Sequence, residues 1–272
     1  MTSTGFTESV ESLHQLAVAW RAMVLDHAPN ADVRDLPGLA VRWADSPFAF
    51  WNCITLTEEH VTADLMRQRL DAAAGIIRAK RHSDSGFLWV FEDLLDADAR
   101  TALTAAAEQA GLQYAFGGTG MAGDILPLPE PHHLDPDLAF VRVSTEDHLR
   151  AYADLQARAY GFPVEACRDG LTGAGLWKTG MHAYLALHDT TPVACAATIP
   201  AQGRLFVCFV ATDPRWQRRG YGEAVTRKAL HEGARATGLT RATLHATEAG
   251  APLYPRIGFT PNTPIRFYTL KT

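Results

Sequence analysis

The sequence predicts an α/β protein of the α+β type, built as two halves, each a mixed, largely antiparallel twisted sheet flanked by helices. Strand-like apolar runs alternate with segments of helical period along the chain. In the second half, three consecutive strand-like runs are joined by links short enough for antiparallel hairpins. The proline-rich stretch Pro127–Pro136 cannot continue a helix and divides the chain near its middle. At 272 residues the chain exceeds the single-domain mode of about 100–150 residues. Two domains are therefore expected, 1–126 and 138–272, with a linker at 127–137.

In the second half, a strand over Leu138–Val143 leads to a helix from about Thr145 to Tyr160, with Thr145 as its cap. A glycine-rich loop follows, with Gly170, Gly173 and Gly175. The runs Ala183–Leu187, Val193–Ile199 and Arg204–Ala211 then form a meander, linked by Asp189–Pro192 and by Gln202-Gly203. Tyr221, Ala224, Val225 and Leu230 recur at helical spacing up to Gly238, which stops the helix. A strand at Ala242–Ala246, a short helix around Ala251–Ile257 and a strand near Ile265–Leu270 close this half. The first half has a similar order: strands Leu39–Trp43 and Phe48–Leu56, helix Glu58–Arg78, strand Gly86–Phe91 and helix Asp96–Ala110. A degenerate internal duplication is expected.

Composition narrows the function. Hydrophobic residues at 47% and charged residues at 20% are ordinary for a globular protein. A net charge of -5 argues against a protein whose main task is gripping nucleic acid. Cys53, Cys167, Cys195 and Cys208 lie far apart and read as reduced thiols. Neither a signal peptide nor an apolar run long enough to span a membrane is visible. A cytoplasmic protein with no membrane partner is expected.

The chemistry centres on Gln217-Arg218-Arg219-Gly220-Tyr221-Gly222, which follows a strand and opens a helix. The first turn of a helix leaves N–H groups without internal partners, and the positive end of the dipole lies there, so an anion is favoured. Gly220 and Gly222 let backbone approach a phosphate, and Arg218 and Arg219 add positive charge. Taken alone, the same loop also fits a solvated helix cap with two surface arginines.

This segment resembles the Q/R-x-x-G-x-G/A signature of the GNAT superfamily of N-acetyltransferases. Ala251-Pro252-Leu253-Tyr254-Pro255-Arg256-Ile257-Gly258-Phe259 is similar to that family's second landmark, L-Y-x-x-x-G-F. The resemblance covers Leu138–Leu270, so the expectation becomes two GNAT-like halves, with a catalytic second half and a first half lacking the cofactor loop. It implies acetyl-CoA, or another acyl-CoA, as co-substrate and no metal. The strand holding Phe209, Val210 and Ala211 would splay from Leu244–Ala246. Backbone groups of Val210 and Thr212 would bond the pantetheine arm, and Gln217, Arg218, Arg219, Gly220, Tyr221 and Gly222 would wrap the pyrophosphate. The Val210 N–H would stabilise the oxyanion, and Tyr254 would protonate the departing thiolate. The expected reaction is direct attack of a primary amine, of a small molecule, on the thioester in a ternary complex. Protein, peptide or hydroxyl acylation, or a non-catalytic acyl-CoA-binding regulatory module, remain the alternatives. A monomer or homodimer is expected.

The sequence departs from the family pattern in two places. Arg204–Ala211 has no carboxylate to relay a proton, so the base is unassigned among Glu165, Asp169, His182 and His245. Thr247-Glu248-Ala249-Gly250 stands where many relatives carry an asparagine on the pantetheine arm. Other motifs are decoys. Gly118–Gly123 satisfies G-x-G-x-x-G, but no helix can open at Asp124-Ile125-Leu126-Pro127, so it reads as a loop or bulge. His231-Glu232 has Arg235 where a zinc helix needs its second histidine, and His132-His133 lacks spaced partners. Cys208 reads as a small core residue. In the first half, Leu56–Val61 stands at the loop position with Glu58 and Glu59, which would repel a phosphate. That half is expected to shape an acceptor wall from Trp43, Phe48, Phe50, Trp51, Phe87 and Trp89, with Asn52 as a polar contact.

Overall fold

The computed structural model describes residues 4–131 and 135–271, with side chains from residue 8 onward. His132 and His133 lie outside the described residues. The chain divides into two compact units, and both are discontinuous. The first holds Met1–Met121, Ala246–Ala251 and Pro261–Thr272; the second holds Ala122–His245 and Pro252–Thr260.

In the first unit, helix α1 (Thr4–His27) precedes strands β1 (Asp32–Leu36), β2 (Leu39–Trp43) and β3 (Asn52–Leu56). Helix α2 (Ala63–Arg78) crosses to β4 (Phe87–Phe91), and α3 (Ala97–Gln109) leads to β5 (Leu112–Gly123). The β2–β3 pair is antiparallel and the β3–β4 pair parallel, as the long α2 crossover requires. One face of β4 sends Leu88 and Val90 into a core shared with Leu70, Ile77 and Leu103 of α2 and α3. The other face carries Phe87, Trp89 and Phe91, and Trp89 meets Trp20 of α1 edge to face at 5.8 Å. Covered on both sides, β4 reads as an unbroken apolar run.

In the second unit, β6 (Leu138–Arg142), β7 (His182–His188), β8 (Thr191–Ala201) and β9 (Arg204–Thr212) form an antiparallel meander. Gln202 and Gly203 both take positive φ, 45° and 76°, the backbone of the two-residue turn that matches strand twist. Between β6 and β7 run α4 (Glu146–Tyr160), α5 (Val164–Leu171) and α6 (Leu176–Thr179). Helix α7 (Tyr221–Thr237) crosses from β9 to β10 (Ala242–Thr247), which pairs parallel with β9. The helix ends behave as expected: the Thr145 side chain accepts the His148 N–H, and Gly238 closes α7 in the left-handed region.

The final strand, β11 (Thr260–Leu270), pairs antiparallel with β4, from Ile265 opposite Phe91 to Tyr268 opposite Leu88. In the first unit the strand order is β1-β2-β3-β4-β11-β5. A single cut at the proline-rich stretch does not reproduce this division, because pairing with β4 draws the end of the chain into the first unit. The stretch itself is anchored within the second unit: Leu126 N–H donates to Thr240 O, and His231 Nδ1 lies 2.9 Å from Leu128 O.

Several expectations change. The region of Gly170, Gly173 and Gly175 holds two short helices rather than a loop throughout. Phe48–Leu56 begins as a 3-10 turn, Ala49–Trp51, before β3. Gly118–Gly123 is strand, not loop: a Cβ on Gly118 would stand 2.8 Å from Ala246 O and 2.9 Å from the Phe267 ring. The expected acceptor wall is largely interior, with Trp43, Phe48, Trp51, Phe87 and Trp89 all buried. Asn52 is fully buried and tied to Ser46.

Candidate functional site

The second unit's candidate site begins where β9 leaves β10. Residue pairs between β10 and β9 run from Ala242 opposite Leu205 to Leu244 opposite Val207 and stop, while β9 continues to Thr212. On its other edge the register with β8 shifts, from Cys195 opposite Ala211 to Ala197 opposite Cys208. The extra residue is a bulge. Phe209 takes φ 51° there, a region phenylalanine rarely enters. Side chains of α4 hold the bulged backbone: the Phe209 carbonyl accepts from Tyr152 Oη at 2.7 Å and Gln156 Nε2 at 2.6 Å, and the Val210 carbonyl accepts from Tyr160 Oη at 2.9 Å.

The chain then turns at Asp213, which is 1% exposed and caps a 3-10 turn, Pro214–Trp216. Its carboxylate accepts from Arg215 N–H and Nε at 3.0 Å and from Arg158 Nε at 2.7 Å. Those bonds, Arg215's first, outweigh burial and hold the carboxyl well below the usual carboxylate range. Asp213→Asn is expected to cost about 1–3 kcal/mol of stability at neutral pH. A depressed folded pKa gives stability that is present above the unfolded value, about 3.9, and is lost as pH falls through the folded one. The difference between wild type and variant in urea midpoints should therefore shrink between about pH 4 and pH 2. A difference that stays constant through that range would contradict this account.

Gln217, Arg218, Arg219 and Gly220 follow, all exposed. Arg218 and Gly220 take positive φ, 62° and 84°, and Gly220 is the N-cap of α7 with no side-chain cap bond. The first intrahelical bond runs from Ala224 N–H to Gly220 O, so the N–H groups of Tyr221, Gly222 and Glu223 lie at the helix start where anions are favoured. Glu223 is the acid of that first turn. Burial pushes its carboxyl up, but Arg256 and Arg227 outweigh burial and hold it ionised, its charge compensated. Arg219 stacks on Trp216 at 4.7 Å. The Tyr221 hydroxyl donates to Asp135, so that side chain braces the loop. Gly222 is buried against the end of β9, where a Cβ would stand 2.7 Å from Thr212 Oγ1 and 3.4 Å from Leu253 Cδ1.

The two motifs meet in space. Leu253 reaches Gly222, and Arg256 Nε bonds Glu223 at 2.7 Å. Tyr254 is 6% exposed, on the 3-10 turn Ala251–Arg256, with its ring edge-on to Phe259 at 5.8 Å. Burial, and then the neighbouring Tyr160, push its phenol well above the ordinary value. Tyr160 thus bonds the Val210 carbonyl and neighbours Tyr254, while Thr212 and Leu253 approach Gly222 at the start of α7. Sequence reasoning missed Tyr152, Gln156 and Tyr160. The available signal was a glutamine on the apolar face of α4, in step with Leu149, Tyr152 and Ala153.

None of the four base candidates is positioned as one. Glu165 is exposed and paired with Arg168, and Asp169 is exposed. His182 is half-buried, and burial with the Arg142 charge lowers its pKa. Burial pushes His245 down to about 3, too weak a base for work near neutral pH. All four cysteines are buried, and burial pushes the thiols of Cys53, Cys167 and Cys195 up to about 12 and that of Cys208 higher still. Such thiols are not nucleophiles. His231 bonds the Leu128 carbonyl, and Glu232 is paired with Lys228 and Arg235. No helix among the described residues is long and apolar enough to cross a membrane.

Residues 179–261 match the family model of the acetyltransferase (GNAT) domain. No curated protein matches the sequence significantly. Among solved structures, the chain is similar to a GCN5-related N-acetyltransferase from Kribbella flavida: TM-score 0.67, 18% identity, 94% of this chain and 95% of that one. A GCN5-related N-acetyltransferase from Sphaerobacter thermophilus gives a TM-score of 0.56 at 14% identity, over 85% of this chain and 76% of that one. A tandem GNAT protein from the clavulanic acid biosynthesis pathway gives 0.50 at 14% identity, over 75% and 68%. The fold is shared along nearly the whole chain, while the matched segment spans both site motifs. Residues 179–261 thus match an acetyltransferase (GNAT) domain, which supports an acyltransferase.

Proposed function

We propose that the chain is an N-acetyltransferase that moves an acetyl group from acetyl-CoA to a primary amine of a small molecule, by direct attack in a ternary complex. The observation that supports this reading is the start of α7, which has no side-chain cap and whose residues Tyr221 and Val225 share a core with Val210 of the bulged β9. Val210 and Thr212 would offer backbone groups to the pantetheine arm. Gln217 to Gly222 would surround the pyrophosphate with backbone N–H groups and the charges of Arg218 and Arg219. The amine, with a reference pKa of about 10, gives up a proton through water, since none of the four carboxylate and histidine candidates is suited to the task. Its nitrogen attacks the thioester carbonyl, and the Val210 N–H stabilises the oxyanion. The C–S bond then breaks, the thiolate takes a proton from the Tyr254 hydroxyl, and the second amine proton passes from the cationic nitrogen through water to restore that hydroxyl.

In this reading the first unit is a degenerate repeat. Its succession β2, β3, α2, β4 has the strand pairings of β8, β9, α7, β10, and a tandem GNAT protein is among the similar structures. Its loop position, however, Leu56–Val61, has no glycine to bring backbone to a phosphate and carries both Glu58 and Glu59. One observation favours a second reading, a regulatory module that binds acyl-CoA without turnover: the strand leading into the loop has no carboxylate, and His245 is a very weak base.

Calorimetry with acetyl-CoA, followed by thiol release against an amine library, separates these readings. Saturable binding, with turnover at a KM between about 1 μM and 1 mM, is expected. Binding with no turnover for any acceptor would select the regulatory module, and no binding at all would sink both.

A further inference from the structure

We infer that Tyr152 and Gln156, together with Tyr160, are positioning residues for acyl transfer, holding two successive β9 carbonyls toward α4 and so aiming the Val210 N–H away from α4, toward the acyl group. This rests on the acetyl-CoA reading of the site given above. In a planar trans peptide the C=O and the following N–H point in opposite directions. The Phe209 carbonyl accepts from Tyr152 Oη and Gln156 Nε2, and Cys195 Sγ lies 3.7 Å away on the same face. The Val210 carbonyl accepts from Tyr160 Oη. The opposite face of the sheet belongs to α7: Ala194, Ala196, Val225 and Ala229 form its core, with the Val210 side chain packed against them. With the Phe209 carbonyl committed to α4, the Val210 N–H must turn the other way.

Two independent features indicate that the backbone is held rather than resting. Phe209 occupies a positive φ of 51°, which persists only where the surroundings impose it. Gln156 is fully buried, yet its Oε1 has no hydrogen-bond partner among the described residues. A buried acceptor left unmade is unfavourable, and an apolar residue of similar size would avoid it. Both features converge on the same carbonyl. A regular strand would need neither.

The test uses acetyl-CoA with an isotope-labelled carbonyl, read by infrared difference spectroscopy on the wild type, Tyr152→Phe and Gln156→Met, with melting curves to confirm folding. In the wild type the bound carbonyl band should shift to lower frequency, reporting the hydrogen bond from Val210. Each folded variant should lose most of that shift and release thiol about tenfold more slowly or worse, with the affinity for CoA, which has no acyl carbonyl, nearly unchanged, because the bond is stronger in the transition state than in the ground state. An unchanged band in a folded variant overturns the inference. Should Gln156→Met fail to fold, Tyr152→Phe, which removes one oxygen, decides alone. A wild type that does not bind acetyl-CoA overturns the reading of the site, and this inference with it, and is distinguished by calorimetry before any variant is made.

Discussion

Gly222→Val is expected to weaken acetyl-CoA binding about ten- to a hundredfold, corresponding to the roughly 1–3 kcal/mol that overpacking typically costs. The cause is local. A Cβ at this position would stand 2.7 Å from Thr212 Oγ1 and 3.4 Å from Leu253 Cδ1, so the first turn of α7 must move off β9. The N–H groups of that turn then lose their aim, and hydrogen bonds weaken steeply with misalignment. Gly233 makes an informative comparison. It lies further along α7 and is as crowded, its Cβ falling 2.7 Å from Thr198 Oγ1 and 2.8 Å from Leu205 Cδ1. Gly233→Val should destabilise the fold while leaving the affinity of the folded protein alone. Isothermal titration of both variants below their melting temperatures gives the answer; wild-type affinity in a folded Gly222→Val would remove the helix start from the binding site.

Tyr254→Phe is expected to slow turnover about a hundredfold, the low end of what a positioned acid contributes, with acetyl-CoA affinity nearly unchanged. The substitution leaves the ring against Phe259 and removes only the hydroxyl. Burial and then Tyr160 raise the pKa of that hydroxyl, so it stays protonated across the neutral range, the form a donor to a thiolate needs. The wild-type rate should therefore show no loss from this group as pH rises from about 6 to about 9, below even the unperturbed phenol value of about 10. Steady-state rates across that range, with the acceptor found in the thiol-release screen, check both statements. Equal losses of affinity and rate in Tyr254→Phe would make the residue a packing element.

The meander β6–β9, helices α4 and α7 and their caps were legible in the sequence because each combined a clear period with a punctuating residue, Thr145, Gly203 or Gly238 among them. Helix α1 went unassigned although Leu13, Leu16, Trp20, Met23 and Val24 recur on its buried face at helical spacing; Ser9, Ser12 and Gln15 interrupt that stripe only in its first half. Helices α5 and α6 were hidden by glycines, one of which, Gly170, lies inside α5. The first half's aromatics misled for another reason. Strands covered on both faces lose the alternation that distinguishes a lining residue from a core one. At the site, Gln217–Gly222 and Tyr254 could be read because they fall in contiguous motifs. The α4 residues could not, because each acts on a carbonyl 50 to 57 positions away, and no local pattern records that.

The return of β11 to the first unit has a consequence for synthesis. Arg266 on β11 bonds Glu92, 174 positions earlier, and the whole second unit is translated between them. A ribosome therefore delivers a complete second unit before the first has received the strand that sits between β4 and β5. The unit that emerges first is finished last, and until then β4 presents an apolar edge of the kind that invites wrong pairing.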